Sequence, residues 1–247
     1  MKKIVLVFFS LFIVSLSNAQ VKKPATAVKK PVTTAKPAVK PTGSEQKETL
    51  VEITTDYGVM VAKLYNSTPL HRDNFIKLVK QGFYDSLLFH RIIRDFMIQG
   101  GDPVSKYADS TAMLGAGSAP GVERIPAEFR NNFIHKKGAL AAARDGNPEK
   151  ASSNCQFYIV EGKKYDTAQL NQIYTQGVKP NNPSFKYSPA QKEIYERIGG
   201  TPFLDQNYTV FGEVISGLDV IDKIATAPTA IADRPVKDIR MKIKLLN

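Results

Sequence analysis

Between residues 50 and 246 the apolar residues come in short runs, each closed off by turn formers, which limits the chain to a fold built mainly of strands. The runs fall at 87–93, 96–98, 139–143, 156–160 and 208–215, shorter than the roughly 10–14 residues of an average helix. Alternation is sharpest at the end, where Ile239, Met241, Ile243 and Leu245 face one way and Arg240, Lys242 and Lys244 the other. At the start, Val51 and Ile53 alternate with Glu52 and Thr54, Asp56-Tyr57-Gly58 turns, and 59–65 returns, which predicts a hairpin. Thr68 before Pro69 predicts a capped helix with Phe75, Leu78 and Val79 on one face and Gly82 at its end. A second helix is predicted over 218–224, with Leu218, Ile221 and Ile224 sharing a face. Many short strands and few helices predict an antiparallel sheet, closed or nearly closed. A doubly wound α/β fold would need regular crossover helices, and the middle of the chain lacks them.

Residues 1–19 have the build of a secretory leader: Lys2 and Lys3, an apolar core over 4–13, and Ser17-Asn18-Ala19 as a small-residue cleavage site. That core is well short of the roughly 20 residues that span a bilayer, so a soluble exported protein, periplasmic or secreted, is expected. Residues 20–47 read as a lysine- and proline-rich tether, extended and disordered, because Lys-Pro steps remove backbone donors and repel one another. Taking the two leader lysines and the six of residues 21–43 from the net charge of +11 leaves +3 for 44–247. Basicity therefore belongs to the tail; a weak contact with an anionic envelope surface is one reading of it and a plain spacer the other. Residues 48–247 suffice for one domain, expected to be monomeric. A single cysteine forms no internal disulfide, so the fold stands on its core, and Cys155 in its apolar run reads as a buried small hydrophobe.

Residues 161–202 differ from the strands around them. Asp166 with Gln169 and Ser188 with Gln191 are capping-box signatures, each ahead of apolar residues at helical spacing. Between them Lys179-Pro180-Asn181-Asn182-Pro183 is expected to forbid a continuous helix. This two-helix excursion should emerge beside any groove next to Phe203 and Leu204, either to narrow or extend a binding surface or as a neutral elaboration.

The richest run is Phe89-His90-Arg91-Ile92-Ile93-Arg94-Asp95-Phe96-Met97-Ile98-Gln99-Gly100-Gly101-Asp102, which sets an arginine and a glutamine among large apolar residues. It is followed in order by Gly117-Ser118-Ala119-Pro120-Gly121, 125–129, 138–143, Ser153-Asn154-Cys155-Gln156-Phe157-Tyr158-Ile159, and Leu204-Asp205 before 208–212. The ordered set resembles the cyclophilin family of peptidyl-prolyl cis-trans isomerases over about residues 50–246, the excursion apart. The resemblance implies a closed eight-stranded antiparallel barrel capped by two helices, carrying the additional helical insertion. It implies a non-covalent isomerase of X-Pro bonds that needs no cofactor and no metal. Its partners would be proline-containing peptides and unfolded exported proteins, not nucleic acid.

By motif position the resemblance puts Arg91 at the catalytic centre with Gln99 orienting it. Phe96, Met97, Tyr158 and Leu204 then form the seat for the prolyl ring, and Ala143 and Arg144 form the groove edge along which an extended peptide bonds to backbone. Three positions depart from the family's commoner residues: Phe203 stands for tryptophan, Tyr208 for histidine and Tyr158 for phenylalanine. Loss of the indole donor at 203 is expected to weaken cyclosporin binding, while Tyr158 adds a hydroxyl near the seat.

Other chemistries find little equipment. His71, His90 and His135 are the only histidines, and no HExxH, GxSxG or CxxC arrangement is present. His90 and Arg91 are strand neighbours and so are expected on opposite faces, His90 in a structural role. The remaining rival is a cyclophilin-like chaperone module that binds peptides with little turnover.

Overall fold

The computed structural model describes residues 47–121 and 123–246; the predicted leader and nearly all of the predicted tether lie outside the described residues. The hairpin forms as β1 (Thr49–Thr55) and β2 (Gly58–Leu64), followed by helix α1 (Pro69–Lys80) and strands β3 (Phe89–Ile93) and β4 (Met97–Gly100). Then come β5 (Arg124–Ile125), β6 (Ala139–Ala142), β7 (Ser152–Ser153) and β8 (Phe157–Val160). Helices α2 (Thr167–Ile173), the short α3 (Lys179–Asn181) and α4 (Pro189–Arg197) precede β9 (Val210–Ser216), α5 (Leu218–Ala225) and β10 (Lys242–Leu245). Eight strands make one antiparallel sheet in the order β10-β1-β2-β9-β6-β8-β4-β3, while β5 and β7 pair apart from it.

The expectation of a closed barrel fails: the sheet is an open, strongly curled half-barrel, with β3 and β10 as its two edges. Closure needs a continuous ladder between those edges. Among the described residues a single isolated bridge, between Leu88 and Arg240, spans the gap, with bonds from Phe89 N–H to the Ile239 carbonyl (2.9 Å), Met241 N–H to that of Leu87 (2.8 Å) and Ser86 N–H to that of Met241 (2.9 Å). The chain before Ile239 does not run on along β3. It folds on itself instead, through a Thr229–Pro235 bridge and a bond from Val236 N–H to the Pro228 carbonyl. Nor are there just two capping helices. Among the described residues four helices of seven residues or more are present, two of them, α2 and α4, in the insertion.

The two faces of the sheet carry different clusters, as a period of two requires. Leu140, Ile159, Ile98 and Ile92 point inward, where they pack with Phe75 and Leu78 of α1 and with Val220, Ile221 and Ile224 of α5. Leu218 does not join that face; it is 37% exposed. The next residues along the same strands, Ala141, Tyr158, Val160 and Met97, form a second cluster on the outer face with Leu204 and Val210.

The start of α1 departs from its local signal. The Thr68 hydroxyl donates back to the Tyr65 carbonyl and does not cap the helix. The free N–H groups of Leu70 and His71 instead donate to the Glu128 carboxylate at 3.2 and 3.0 Å, and His71 Nδ1 lies 2.7 Å from it. Burial works to raise that carboxyl, but the bonds from His71 and Leu70 outweigh it and hold its pKa below the ordinary value.

Both capping boxes predicted in the insertion are present, at Asp166/Gln169 and Ser188/Gln191. The segment 179–183 interrupts the helices as expected: α3 ends at Asn181 and Asn182, ahead of Pro183, is extended; Pro180 itself is still helical. A π-turn over Tyr174–Val178 joins α2 to α3, and Pro180 sits inside α3. The wider turn, in which Lys179 N–H bonds to the Tyr174 carbonyl, accommodates a residue that has no donor and would crowd a regular helix. The insertion has its own apolar cluster, in which Leu170, Val178, Phe185, Tyr187 and Tyr195 pack with Ile134.

Candidate active site

One cross-strand row builds the site. Ala141 on β6 pairs with Tyr158 on β8, Tyr158 with Gln99 on β4, and Gln99 with Arg91 on β3. Two residues along, Val160 pairs with Met97 and Met97 with Ile93, on the same face. Direct cross-strand neighbours lie about 4.5–5.5 Å apart. The sheet thus delivers an arginine, a glutamine and an apolar floor side by side on the face turned away from the main core.

Above this floor lies a hollow of about 890 Å³. Arg91, Phe96, Met97, Gln99, Ala143, Arg144, Tyr158, Leu204 and Tyr208 all line it. Phe203 does not: it is 41% exposed, its ring 5.6 Å from that of Phe96. No lining residue comes from 161–202.

Arg91 is held from two sides. Its Nη1 donates to Gln99 Oε1 at 3.4 Å and its Nε to Asp233 Oδ2 at 3.3 Å. Gln99 in turn donates through Nε2 to Gln156 Oε1 (3.2 Å), and Gln156 Nε2 donates to the carbonyls of Gly115 (2.9 Å) and Gly117 (2.8 Å). Each amide is oriented by the next, so the loop at 115–117 fixes which end of Gln99 faces the guanidinium. Gln156 was legible only as part of a motif. It lies two residues before Tyr158, hence on the same face. Asp233 had no sequence signal; it sits beside Ala232, both with positive φ (59° and 60°), in a loop after α5.

Arg144 is pinned at the rim, donating from Nε and Nη2 to the backbone and side-chain oxygens of Asn207 (2.9 Å each), with its guanidinium 4.6 Å from the Tyr208 ring centre. Ala143 gives both backbone groups to the fold: its N–H donates to the Gln156 carbonyl and its carbonyl accepts from Ser153 N–H. Tyr158 is buried, and burial keeps its phenol protonated far above neutral pH. Its hydroxyl does not open into the hollow but meets His135 Nε2 at 3.0 Å, so the seat receives an aromatic ring of the kind phenylalanine would give.

His90 overturns a second expectation. Phe89 pairs with Gly100 but Arg91 with Gln99, which leaves His90 as the extra residue of a bulge. A bulge breaks strict alternation, and His90 and Arg91 line the same hollow. The ring is 3% exposed, and burial, opposed in part by the charge of Asp102, pulls its pKa from 6.5 down to about 4. A depressed histidine leaves stability whole above pH ~6.5 and lets it drain away as pH falls toward 4, by up to about 3 kcal/mol. His90→Gln, which takes up no proton there, is expected to flatten part of the fall in Tm between pH 7 and 4.5. Thermal melts with identical slopes in both proteins would refute this.

Among the described residues, no group of three or more His, Cys, Asp or Glu side chains is placed to hold a metal ion, and no helix is long and apolar enough to cross a membrane. Cys155 is buried, and burial pushes its thiol up to about 11, the state of a packed side chain and not of a nucleophile.

Residues 50–244 match the family described as cyclophilin type peptidyl-prolyl cis-trans isomerase/CLD. A Staphylococcus aureus (strain USA300) protein named "Putative peptidyl-prolyl cis-trans isomerase" is 35% identical over 196 residues, which is 79% of this chain and 90% of its own. A Staphylococcus haemolyticus (strain JCSC1435) protein of the same name is 32% identical over 196 residues, 79% of this chain and 89% of its own. Among solved structures, a Cryptosporidium parvum cyclophilin type isomerase superposes with a TM-score of 0.59 at 22% identity, over 81% of this chain and 99% of its own. A second structure of that protein, in the presence of the dipeptide Ala-Pro, gives 0.58 at 22% identity over 80% and 99%.

Proposed function

Because this chain belongs to the cyclophilin-type peptidyl-prolyl cis-trans isomerase family, we propose that it turns X-Pro bonds in unfolded, exported proteins, with Arg91 as the catalytic cation. Peptide rotation is slow because resonance stiffens the C–N bond, with a barrier of about 18–20 kcal/mol. In the twisted state the proline nitrogen regains a lone pair that is nearly absent in the planar ground state. A guanidinium fixed beside it bonds to that lone pair and so favours the transition state over the substrate.

The observation that carries this reading is the Arg91–Gln99 contact at the edge of an apolar hollow. The prolyl ring takes the seat formed by Phe96, Met97, Tyr158 and Leu204, which grips it while the preceding residue turns. Gln99, tied to Gln156, holds the guanidinium at its angle. Because Ala143 has spent its backbone groups, a peptide lying along that edge finds its partner at Arg144. Fixed donors and a dry floor are sufficient, and no bond to the protein is made or broken.

A client that is an unfolded chain fits the apolar rim, where Met113, Ile231 and Val236 are 86%, 92% and 69% exposed around the hollow. The same rim favours the rival reading, a peptide-binding chaperone with little turnover. Export rests on residues 1–19 alone. Exchange NMR on an Ala-Pro peptide separates the two readings: cis-trans exchange faster than the peptide's own rate supports the isomerase, and binding without acceleration leaves the chaperone.

A further inference from the structure

Behind the seat lies a buried chain of polar groups that ends on the insertion. Asp205, fully buried, accepts four bonds. His135 supplies two to Oδ1, from its backbone N–H (2.8 Å) and from Nδ1 (2.7 Å). Tyr187 and Tyr195 supply the others, their hydroxyls donating to Oδ2 at 2.6 and 2.5 Å. Both tyrosines belong to the inserted segment. Burial first, and then the charge of Asp205, hold both phenols protonated, so they remain donors at any working pH. On the other side of its ring, His135 Nε2 meets the Tyr158 hydroxyl at 3.0 Å. The Tyr187 hydroxyl also reaches the Pro202 carbonyl (3.2 Å), at the head of the turn that carries Leu204.

We propose that the insertion is a positioning device for the prolyl seat: Tyr187 and Tyr195 fix Asp205, Asp205 fixes His135, and His135 fixes the Tyr158 ring. This rests on the isomerase reading of the same hollow. It accounts for two facts together, the tyrosine at 158 and the inserted helices. A buried hydroxyl demands a partner, and here its partner is in turn anchored by the added segment. No insertion residue lines the hollow, so the segment acts from behind and not as an extra wall of the groove. Tyr187 and Tyr195 are positioning residues; neither touches the peptide.

The test is a mutant cycle on the full chain. Tyr187→Phe with Tyr195→Phe is expected to raise KM for an Ala-Pro tetrapeptide about three- to tenfold, with kcat little changed. The same pair of changes made on Tyr158→Phe should add nothing, because the last link is already gone. A merely structural role would lower Tm in both backgrounds alike and leave KM unmoved, and that result overturns the proposal. Tyr187→Phe alone serves as the milder variant if the paired one does not fold, with the same two backgrounds compared. Peptide affinity from NMR titration gives the cycle without turnover. A wild-type protein that binds but does not catalyse would count against the isomerase reading, while the affinity cycle still decides this one.

Discussion

Arg91→Ala is expected to lower kcat/KM on an Ala-Pro peptide by about 10²–10³-fold, the usual loss when one fixed donor to a transition state is removed. The fold should survive. The arginine side chain is 40% exposed, and its ion pair with Asp233 spans two half-exposed groups, a pairing worth about 0–1 kcal/mol at most. Peptide binding should persist as well, since Phe96, Met97, Tyr158 and Leu204 are untouched. Arg91→Lys should recover little of the rate, because an ammonium lacks the planar fork that reaches Gln99 and a twisted amide at once. The measurement is exchange NMR with a parallel binding titration. A variant that keeps the wild-type rate while losing affinity would assign Arg91 to binding and remove the proposed mechanism.

Gly101→Ala is expected to be strongly destabilising. Gly101 has φ +94°, and a Cβ placed there would sit 2.3 Å from the Cys155 carbonyl oxygen and 3.0 Å from Gln156 Cα. Those are backbone atoms of the segment leading into β8 and cannot swing aside. Left-handed strain of about 1–2 kcal/mol adds to an overpacking cost of about 1–3 kcal/mol. The sum is a large share of the roughly 5–15 kcal/mol that holds a domain folded. The relief available is to push Gln156 outward, which slackens its hold on Gln99, so activity should fall in whatever fraction stays folded. Gly121→Ala is the control: its φ is +108°, but nothing lies within 4 Å of the added carbon. Urea unfolding should therefore show the strain alone at 121 and a clearly larger loss at 101; equal losses would refute the backbone clash.

Local signals were readable where a few neighbouring residues decide the outcome. Asp166 with Gln169 and Ser188 with Gln191 each close their own capping box, which needs no knowledge of the rest of the chain. The floor of the site was readable for a related reason: a period of two places Met97 with Gln99, and Tyr158 with Gln156, on one face. What failed depended on distant or irregular backbone. Thr68 had the right residue type for a cap, yet Glu128 takes the helix start from 57 residues away. His90 joined Arg91 through a bulge that no side-chain pattern announces. The ring of strands stayed open because the approach to Ile239 curls into a loop, whose Asp233 then reaches Arg91. That contact was invisible because it hangs on two residues at positive φ with no glycine to advertise them. The break within 179–183 was readable from its two prolines, but the π-turn that carries Pro180 inside α3 leaves no mark in composition.

The pairing of β1 with β10, Val51 opposite Leu245, joins the two extremes of the domain. The first strand of the domain to be synthesised therefore waits for nearly the domain's last residues before one of its sides is satisfied. Closing so long a loop is entropically slow, so this seam forms after the local hairpins β1–β2 and β3–β4. The β1–β10 edge of the domain is therefore the seam that consolidates last.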